Sequence, residues 1–357
     1  MIAAVLLQSP AQEPKREDVL RKVDAAKVDA AIRSGCEWLL GEYEAGKLAP
    51  FEREGVKHKY EDLLLLVLAY AGHDRADARF QKILRTVVEH PPERTYDTSC
   101  AAMALVKVDK AKYQWRVAQC AQFVVDNQLP DGQWGYGVPT KVDHIRPWDP
   151  PPAKAGSTTS LKPYAVVKKG GGRADEQGDK SNSQFAAMGL RAAHDAEIRL
   201  PADTIRRGAD AWEKSQNKDG GWSYRPKDGP ASYGSMTAGG MSSLAIYDFL
   251  SGSAARLDPR CERARRWVAE NWVVDANPKG TMGNRYYWLY AVERAGTLFG
   301  TELMGAHEWY PEGAGHILAQ QRGDKSWDQD VSKTAFAILF LRRVTDDYRP
   351  PVATGKK

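Results

Sequence analysis

The sequence predicts an all-α fold, an (α/α)6 toroid in which six outer helices surround six inner ones. Three observations lead there. A glutamine, a tight turn and a tryptophan recur as Gln128-Leu-Pro-Asp-Gly-Gln-Trp134, Gln216-Asn-Lys-Asp-Gly-Gly-Trp222 and Gln321-Arg-Gly-Asp-Lys-Ser-Trp327. Such self-similarity marks a repeat architecture, in which no unit buries its apolar face alone. Twelve helix-period segments alternate between amphipathic and apolar nearly all round, and no strand-period stretch is long enough to compete. The composition, 42% hydrophobic and 10% aromatic over 357 residues, is ample for one large core.

In chain order, residues 26–42 carry charge on one face and form the first outer helix. Residues 60–72, with a leucine-rich centre over 63–69, form the first inner one. The second pair is 76–90 and 96–108, and the third is 111–128 and 181–195. Residues 201–216 and 234–250 make the fourth, 258–272 and 285–299 the fifth, and 308–321 and 331–344 the sixth. In the Gln-to-Trp copies the glutamine ends an outer helix, Asp-Gly (Asp324-Lys325 in the third) makes the turn, and the tryptophan is expected to plug against the neighbouring pair. The toroid spans 26–345, preceded by a leader over 1–25 and followed by a tail over 346–357 expected to be disordered.

This order places every outer-to-inner connection at one end of the ring. The N-termini of the inner helices, with their partial positive charge and first-turn side chains, therefore line one mouth of a central cavity. One connection is unusually long. Residues 135–178 are rich in Pro, Gly and Lys, including Pro147, Pro150-Pro-Pro152 and Gly170-Gly-Gly172. A loop beyond about 15 residues is commonly a lid, a binding loop or a disordered insertion, and the topology lays this one over the mouth.

Ile2-Ala-Ala-Val-Leu-Leu7 is apolar, and Ser9-Pro-Ala11 sets small residues at −3 and −1 before Gln12, like the end of a signal peptide lacking its basic start. The expectation is a secreted or periplasmic protein, with a cytoplasmic one as the alternative. The net charge of +5 is spread over both signs without a basic stripe, which argues against nucleic acid as a partner. No apolar run approaches the roughly 18–20 residues of a transmembrane segment. Cys36, Cys100, Cys120 and Cys261 are scattered singly in helical context and read as core residues.

The three Gln-to-Trp turns resemble the QW motifs of the squalene–hopene cyclase and protein prenyltransferase β-subunit superfamily. The phrase Ser332-Lys-Thr-Ala-Phe-Ala-Ile-Leu-Phe-Leu341 is similar to that superfamily's inner-helix repeat, and the likeness runs from about residue 26 to 345. Gly178-Asp-Lys-Ser-Asn-Ser-Gln-Phe185, Tyr286-Tyr-Trp-Leu-Tyr-Ala-Val-Glu-Arg-Ala-Gly296 and His307-Glu-Trp-Tyr-Pro-Glu-Gly313 resemble a narrower subgroup. Its members are single-domain prenyltransferase/squalene oxidase repeat proteins of planctomycete-type bacteria. The resemblance implies the toroid. It implies no single activity, because the superfamily holds cyclases, prenyltransferases and binding proteins.

The superfamily's protonating cyclases carry DxDDTA at the start of one inner helix. Here Asp330 and Thr334-Ala335 match its ends, while Ser332 stands where the acid belongs and Lys333 follows. In the same register Asp97 falls on the acid position of the second inner helix, and Ser181 and Ser235 on that of the third and fourth. Asp97 is either an acid at the mouth or an N-cap of its own helix. The prenyltransferase branch uses zinc through Asp-x-Cys and a distant histidine. Asp97 and Cys100 are spaced three apart rather than two, and the seven histidines form no HxxxH or HExxH, so neither metal nor cofactor is expected.

The fifth inner helix places Tyr286, Tyr290 and Glu293 on one stripe, with Arg285 before and Arg294 after. Facing the cavity, the stripe offers phenols and a carboxylate to a sugar or an isoprenoid; facing the core, Glu293 pairs with an arginine. Candidate catalytic residues are Asp97, Glu293 and Asp330. Candidate ligand-binding residues are Tyr96, Asn182, Gln184, Arg285, Tyr286 and Tyr290. Three functions fit: a cyclase-like toroid holding an elongated apolar ligand, a carbohydrate-active hydrolase or lyase using two carboxylates, or a non-catalytic cell-envelope scaffold with a protein partner.

Overall fold

The computed structural model describes residues 13–48, 51–53, 56–151, 161–170, 177–225, 229, 231–252, 259–280 and 284–348. The apolar segment 2–7, the cleavage point before Gln12 and residues 349–357 of the tail lie outside them. A short helix α1 (Arg16–Leu20) leads into α2 (Ala25–Glu44), α3 (Glu61–Ala71), α4 (Ala78–Glu89) and α5 (Thr95–Asp126). There follow α6 (Lys180–Asp195), α7 (Ala202–Lys214), α8 (Gly234–Leu250), α9 (Pro259–Glu270), α10 (Arg285–Phe299), α11 (Trp309–Gln320) and α12 (Val331–Arg342). Helix α5 is two helices joined at Asp109, whose backbone is non-helical and whose carboxylate caps Lys112 N of the second arm. Its arms, 95–108 and 110–126, are the inner and outer helices expected there.

The inner helices pack in a closed cycle: α3 on α5, α5 on α6, α6 on α8, α8 on α10, α10 on α12, and α12 back on α3. Their sequences dictate this position. Leu63 to Tyr70 of α3 are all buried, so that helix has no face to give to solvent. In α7, by contrast, Thr204, Ile205, Gly208, Ala211 and Trp212 are buried at helical spacing and the rest is charged apart from Ala202 and Ala209, which makes it an outer helix.

The Gln-to-Trp turns tie the rings together by one pattern repeated three times. Each tryptophan donates through Nε1 to a carbonyl ten residues back: Trp134 to Val124 O, Trp222 to Trp212 O, Trp327 to Ile317 O. Its backbone N–H donates to a hydroxyl on the next inner helix, Ser183, Thr237 or Thr334. The hydrogen bonds of the tryptophan thus lock its own pair, while the Trp327 ring also packs on α2 of the neighbouring pair, where a Cβ at Gly35 would come within 2.9 Å of it. The glutamine makes the link between neighbours. Gln128, Gln216 and Gln321 each donate to their own turn and to an outer helix of the adjoining pair, at Thr204 O, Arg260 O and Ala31 O.

Three expectations change. Residues 135–151 and 161–170 run along the outer arm of α5, where Gln114, Gln119 and Gln122 donate to the carbonyls of Lys162, Ile145 and Val167. Most of the described part of the long connection is a strap on the outside of the ring, while Tyr136 near its start pairs with Thr95 at the entry of α5. Glu13 accepts from Thr301 and Glu302, Arg16 pairs with Asp346, and Lys22 pairs with Glu308, so residues 13–24 belong to the packed body. A 3₁₀ turn, Val344–Tyr348, buries Tyr348 and joins its hydroxyl to Tyr70 Oη at 2.9 Å, extending the body past 345. Two short antiparallel pairs, β1 (Phe51–Arg53) with β2 (Val56–His58) and β3 (Leu303–Met304) with β4 (His307–Glu308), are too brief to leave a period in the sequence. Among the described residues no helix is long and apolar enough to cross a membrane.

Candidate ligand site at the ring mouth

The inner N-termini do share one end. Three segments that follow an outer helix pair with the start of the preceding inner helix: Thr95 N donates to Tyr136 O, Lys180 N to Tyr224 O, and Gly234 N to Pro278 O. Side-chain caps set the entries of α6, α10 and α12, through Asp179 on Asn182 N, Asn284 on Tyr287 N and Asp330 on Lys333 N.

Beneath this mouth, aromatic side chains from four inner helices converge. Tyr96 of α5 lies 3.8 Å, centroid to centroid, from Phe185 of α6, which stacks at 6.5 Å on Tyr287 of α10. Phe336 of α12 lies 5.1 Å from Tyr287 and 5.8 Å from Tyr290. Tyr96 and Tyr287 are half-buried; Phe185, Tyr290 and Phe336 are buried. The polar groups here are ordered. Ser181 Oγ and Gln184 Nε2 both lie 2.8 Å from Tyr287 Oη, and Gln184 Oε1 accepts from Arg294 Nη2. The Arg294 guanidinium, fully buried, lies 4.2 Å above the Tyr290 ring and 5.3 Å from that of Phe185. Gly239 of α8 makes room for Gln184, since a Cβ there would approach Oε1 to 2.7 Å.

The stripe of α10 that joins this aromatic group is Tyr287, Tyr290 and Arg294. It lies one residue out of phase with the expected Tyr286, Tyr290 and Glu293. Tyr286 is buried away from the aromatic group, with Arg285 5.0 Å over its ring. Glu293 is fully buried and accepts from Thr345 N at 3.0 Å and Thr345 Oγ1 at 2.6 Å, so it anchors the C-terminal turn. Burial pushes its carboxyl up to about 7. Asn182 donates twice to Asp179 and serves the cap. Arg285 pairs with Asp328 at 3.1 Å, and Asp330 caps α12, so both shape the rim. Of the candidates, only Tyr96, Gln184 and Tyr290 join the aromatic group.

Asp97 belongs to a separate place. With Asp62, His90, Arg94 and Arg116 it lines a cavity of about 20 Å³ under the segment joining α4 to α5, room for about one water. Burial and then the Asp62 carboxylate hold Asp97 well above the usual carboxylate range, and burial pushes Asp62 up to about 7. Sequence reasoning missed Asp62. The signal was available: it is the second helical residue after the N-cap Tyr60, the position that Ser332 holds after the N-cap Asp330. Among the described residues no cluster of His, Cys, Asp and Glu could hold a metal ion.

No family model matches the chain, and no curated protein matches it. Solved structures do. The type II terpene cyclase MstE from Scytonema, in complex with its substrate geranylgeranyl dihydroxybenzoate, aligns with a TM-score of 0.54 at 13% identity, covering 93% of this chain and 99% of that one. A possible member of the GH105 family from Salmonella enterica serovar Paratyphi A gives 0.55 at 11% identity, with 97% and 98% covered. A protein from Actinoplanes gives 0.52 at 15%, with 89% and 99% covered. The chain therefore shares the all-α toroid fold of a terpene cyclase and of a possible GH105 member.

Proposed function

We propose that this toroid is a ligand-binding protein of the terpene-cyclase kind, taking an elongated, apolar, isoprenoid-like molecule into the upper end of its central cavity. The carrying observation is the aromatic group of Tyr96, Phe185, Tyr287, Tyr290 and Phe336, drawn from four inner helices to one point beneath the mouth. Aromatic faces bury apolar area and position it through ring edges and phenols. The MstE complex supports the reading, since a toroid of this fold was solved with a geranylgeranyl compound bound.

Binding, rather than proton-initiated cyclisation, fits the charges. Ser332 stands at the acid position, and Arg294 holds a permanent positive charge among the aromatics. A developing carbocation beside that guanidinium would be repelled, whereas a cyclase needs it stabilised. Export is part of the proposal, and cell fractionation tests it: protein found wholly in the cytoplasm would remove it.

The test of binding is native mass spectrometry of protein purified from the organism that makes it, beside Tyr287→Ala. A bound isoprenoid or lipid in the wild type, absent from the variant, is expected. A second reading, a glycan-active enzyme, draws on the Asp62–Asp97 pair, whose raised carboxyls suit acid and base roles. A bound oligosaccharide would favour it, and a co-purifying protein would favour an envelope scaffold.

A further inference from the structure

Arg294 presents an anomaly that the aromatic group alone does not explain. Its side chain is fully buried, and no ion pair joins it to a carboxylate of the described residues. Its Nε and Nη1 have no hydrogen-bond partner. A buried charge is ordinarily paired, because desolvation is recovered only by an opposite charge or a full set of hydrogen bonds. Stacking on Tyr290 and Phe185 recovers part of it. The hydroxyl of Tyr96, buried and also unpartnered, adds a second unused donor to the same aromatic group.

The geometry of the fork narrows what is missing. A guanidinium has five N–H bonds, two on Nη2. Gln184 takes one Nη2 hydrogen. If that hydrogen lies beside Nε, the Nη1–Nη2 edge stays complete; if it lies beside Nη1, the Nε–Nη2 edge does. One two-hydrogen edge is free in either case, the shape that a carboxylate fills with two parallel bonds. Gln184 links the fork to Tyr287, a half-buried residue in the first turn of α10, which lies one side chain nearer the mouth.

We propose that Arg294 is the anchor for a carboxylate carried by the ligand, held by the free edge of its guanidinium with Tyr96 Oη as a further donor. The aromatic group then receives an apolar body attached to that carboxylate. This deepens the reading above and rests on it. The ligand class becomes an amphipathic carboxylic acid, and Gln184, fixed by Tyr287 and given room by Gly239, positions the fork.

The experiment titrates 4-octylbenzoate and the uncharged 4-octylbenzamide against wild type, Arg294→Met, Arg294→Lys and Tyr287→Ala, reading affinity by calorimetry and melting temperature. The expected result is benzoate binding at least tenfold tighter than benzamide to the wild type. That preference should vanish in Arg294→Met and partly return in Arg294→Lys. Arg294→Met without ligand should melt no lower than wild type, because it removes an unpaired buried charge; a merely structural arginine would lower the melting point. Equal binding of benzoate and benzamide, with both weakened by Tyr287→Ala, would overturn the anchor and leave the apolar site standing. Failure of the wild type to bind either compound would overturn the anchor and the proposed site together. Should Arg294→Met not fold, the wild-type comparison of benzoate with benzamide decides alone.

Discussion

Gln321 closes the ring: its Nε2 donates at 3.1 Å to the carbonyl of Ala31, 290 residues earlier, and at 3.2 Å to Ser34 Oγ. The last outer helix is thereby fastened to the first by the bond that Gln128 and Gln216 make between successive pairs. The toroid ends on the same joint that builds it.

Gln321→Leu should therefore destabilise the fold by about 1–3 kcal/mol, the cost of leaving partly buried acceptors unpaired. Equilibrium urea unfolding checks it. Gln216→Leu, which breaks a joint between adjacent pairs, should cost a similar amount. A loss confined to Gln216→Leu would mean that the closing joint contributes nothing.

The third turn carries Lys325 where the others have Gly132 and Gly220, and all three residues have a positive φ, 75°, 85° and 91°. A left-handed conformation costs a non-glycine residue about 1–2 kcal/mol, partly offset by the greater unfolded-state freedom of glycine. Lys325→Gly should raise stability by up to about 1 kcal/mol in the same assay. Gly132→Ala should be clearly destabilising, because its Cβ would meet Arg207 O at 2.2 Å.

The fold was legible because outer and inner helices differ in character along the chain, and because the glutamines and tryptophans punctuate it. The site was less so. A helix buried on every side has no amphipathic phase, so the run from Tyr286 to Tyr290 does not reveal which tyrosine faces the axis. The strap along α5 had a signal that went unused, in Gln114, Gln119 and Gln122 on an otherwise outer face. Asp62 was hidden beside the leucine run that follows it. Arg294 stood in view at the end of the aromatic stripe, but its lack of a counter-charge appears only when the side chains around it are placed.

Glu293 gives a pH dependence. Its carboxyl is pushed from 4.5 up to about 7 by burial, so the folded state holds the proton more tightly than the unfolded one. That contribution is complete below about pH 4.5 and is lost as pH rises through about 7. The shift corresponds to about 3 kcal/mol. Glu293→Gln, which still accepts from Thr345 N, should remove this part of the slope, so its advantage over wild type should grow between pH 5 and 8. Parallel stability–pH curves would contradict the assignment.

After burial, the Asp62 carboxylate helps to raise that of Asp97 in the small cavity beside Arg116. Asp62→Asn removes the like charge, so Asp97 should ionise at lower pH, observable by carboxyl-carbon NMR. An unchanged Asp97 titration would mean that the two carboxyls do not share a field.

The most direct test of ligand binding in the ring is native mass spectrometry of the protein from its own source, followed by release and identification of whatever is bound. One small molecule per chain with an apolar body is expected, absent from Tyr287→Ala purified in parallel. An empty wild-type ring whose melting temperature no amphipathic or isoprenoid probe raises would contradict it.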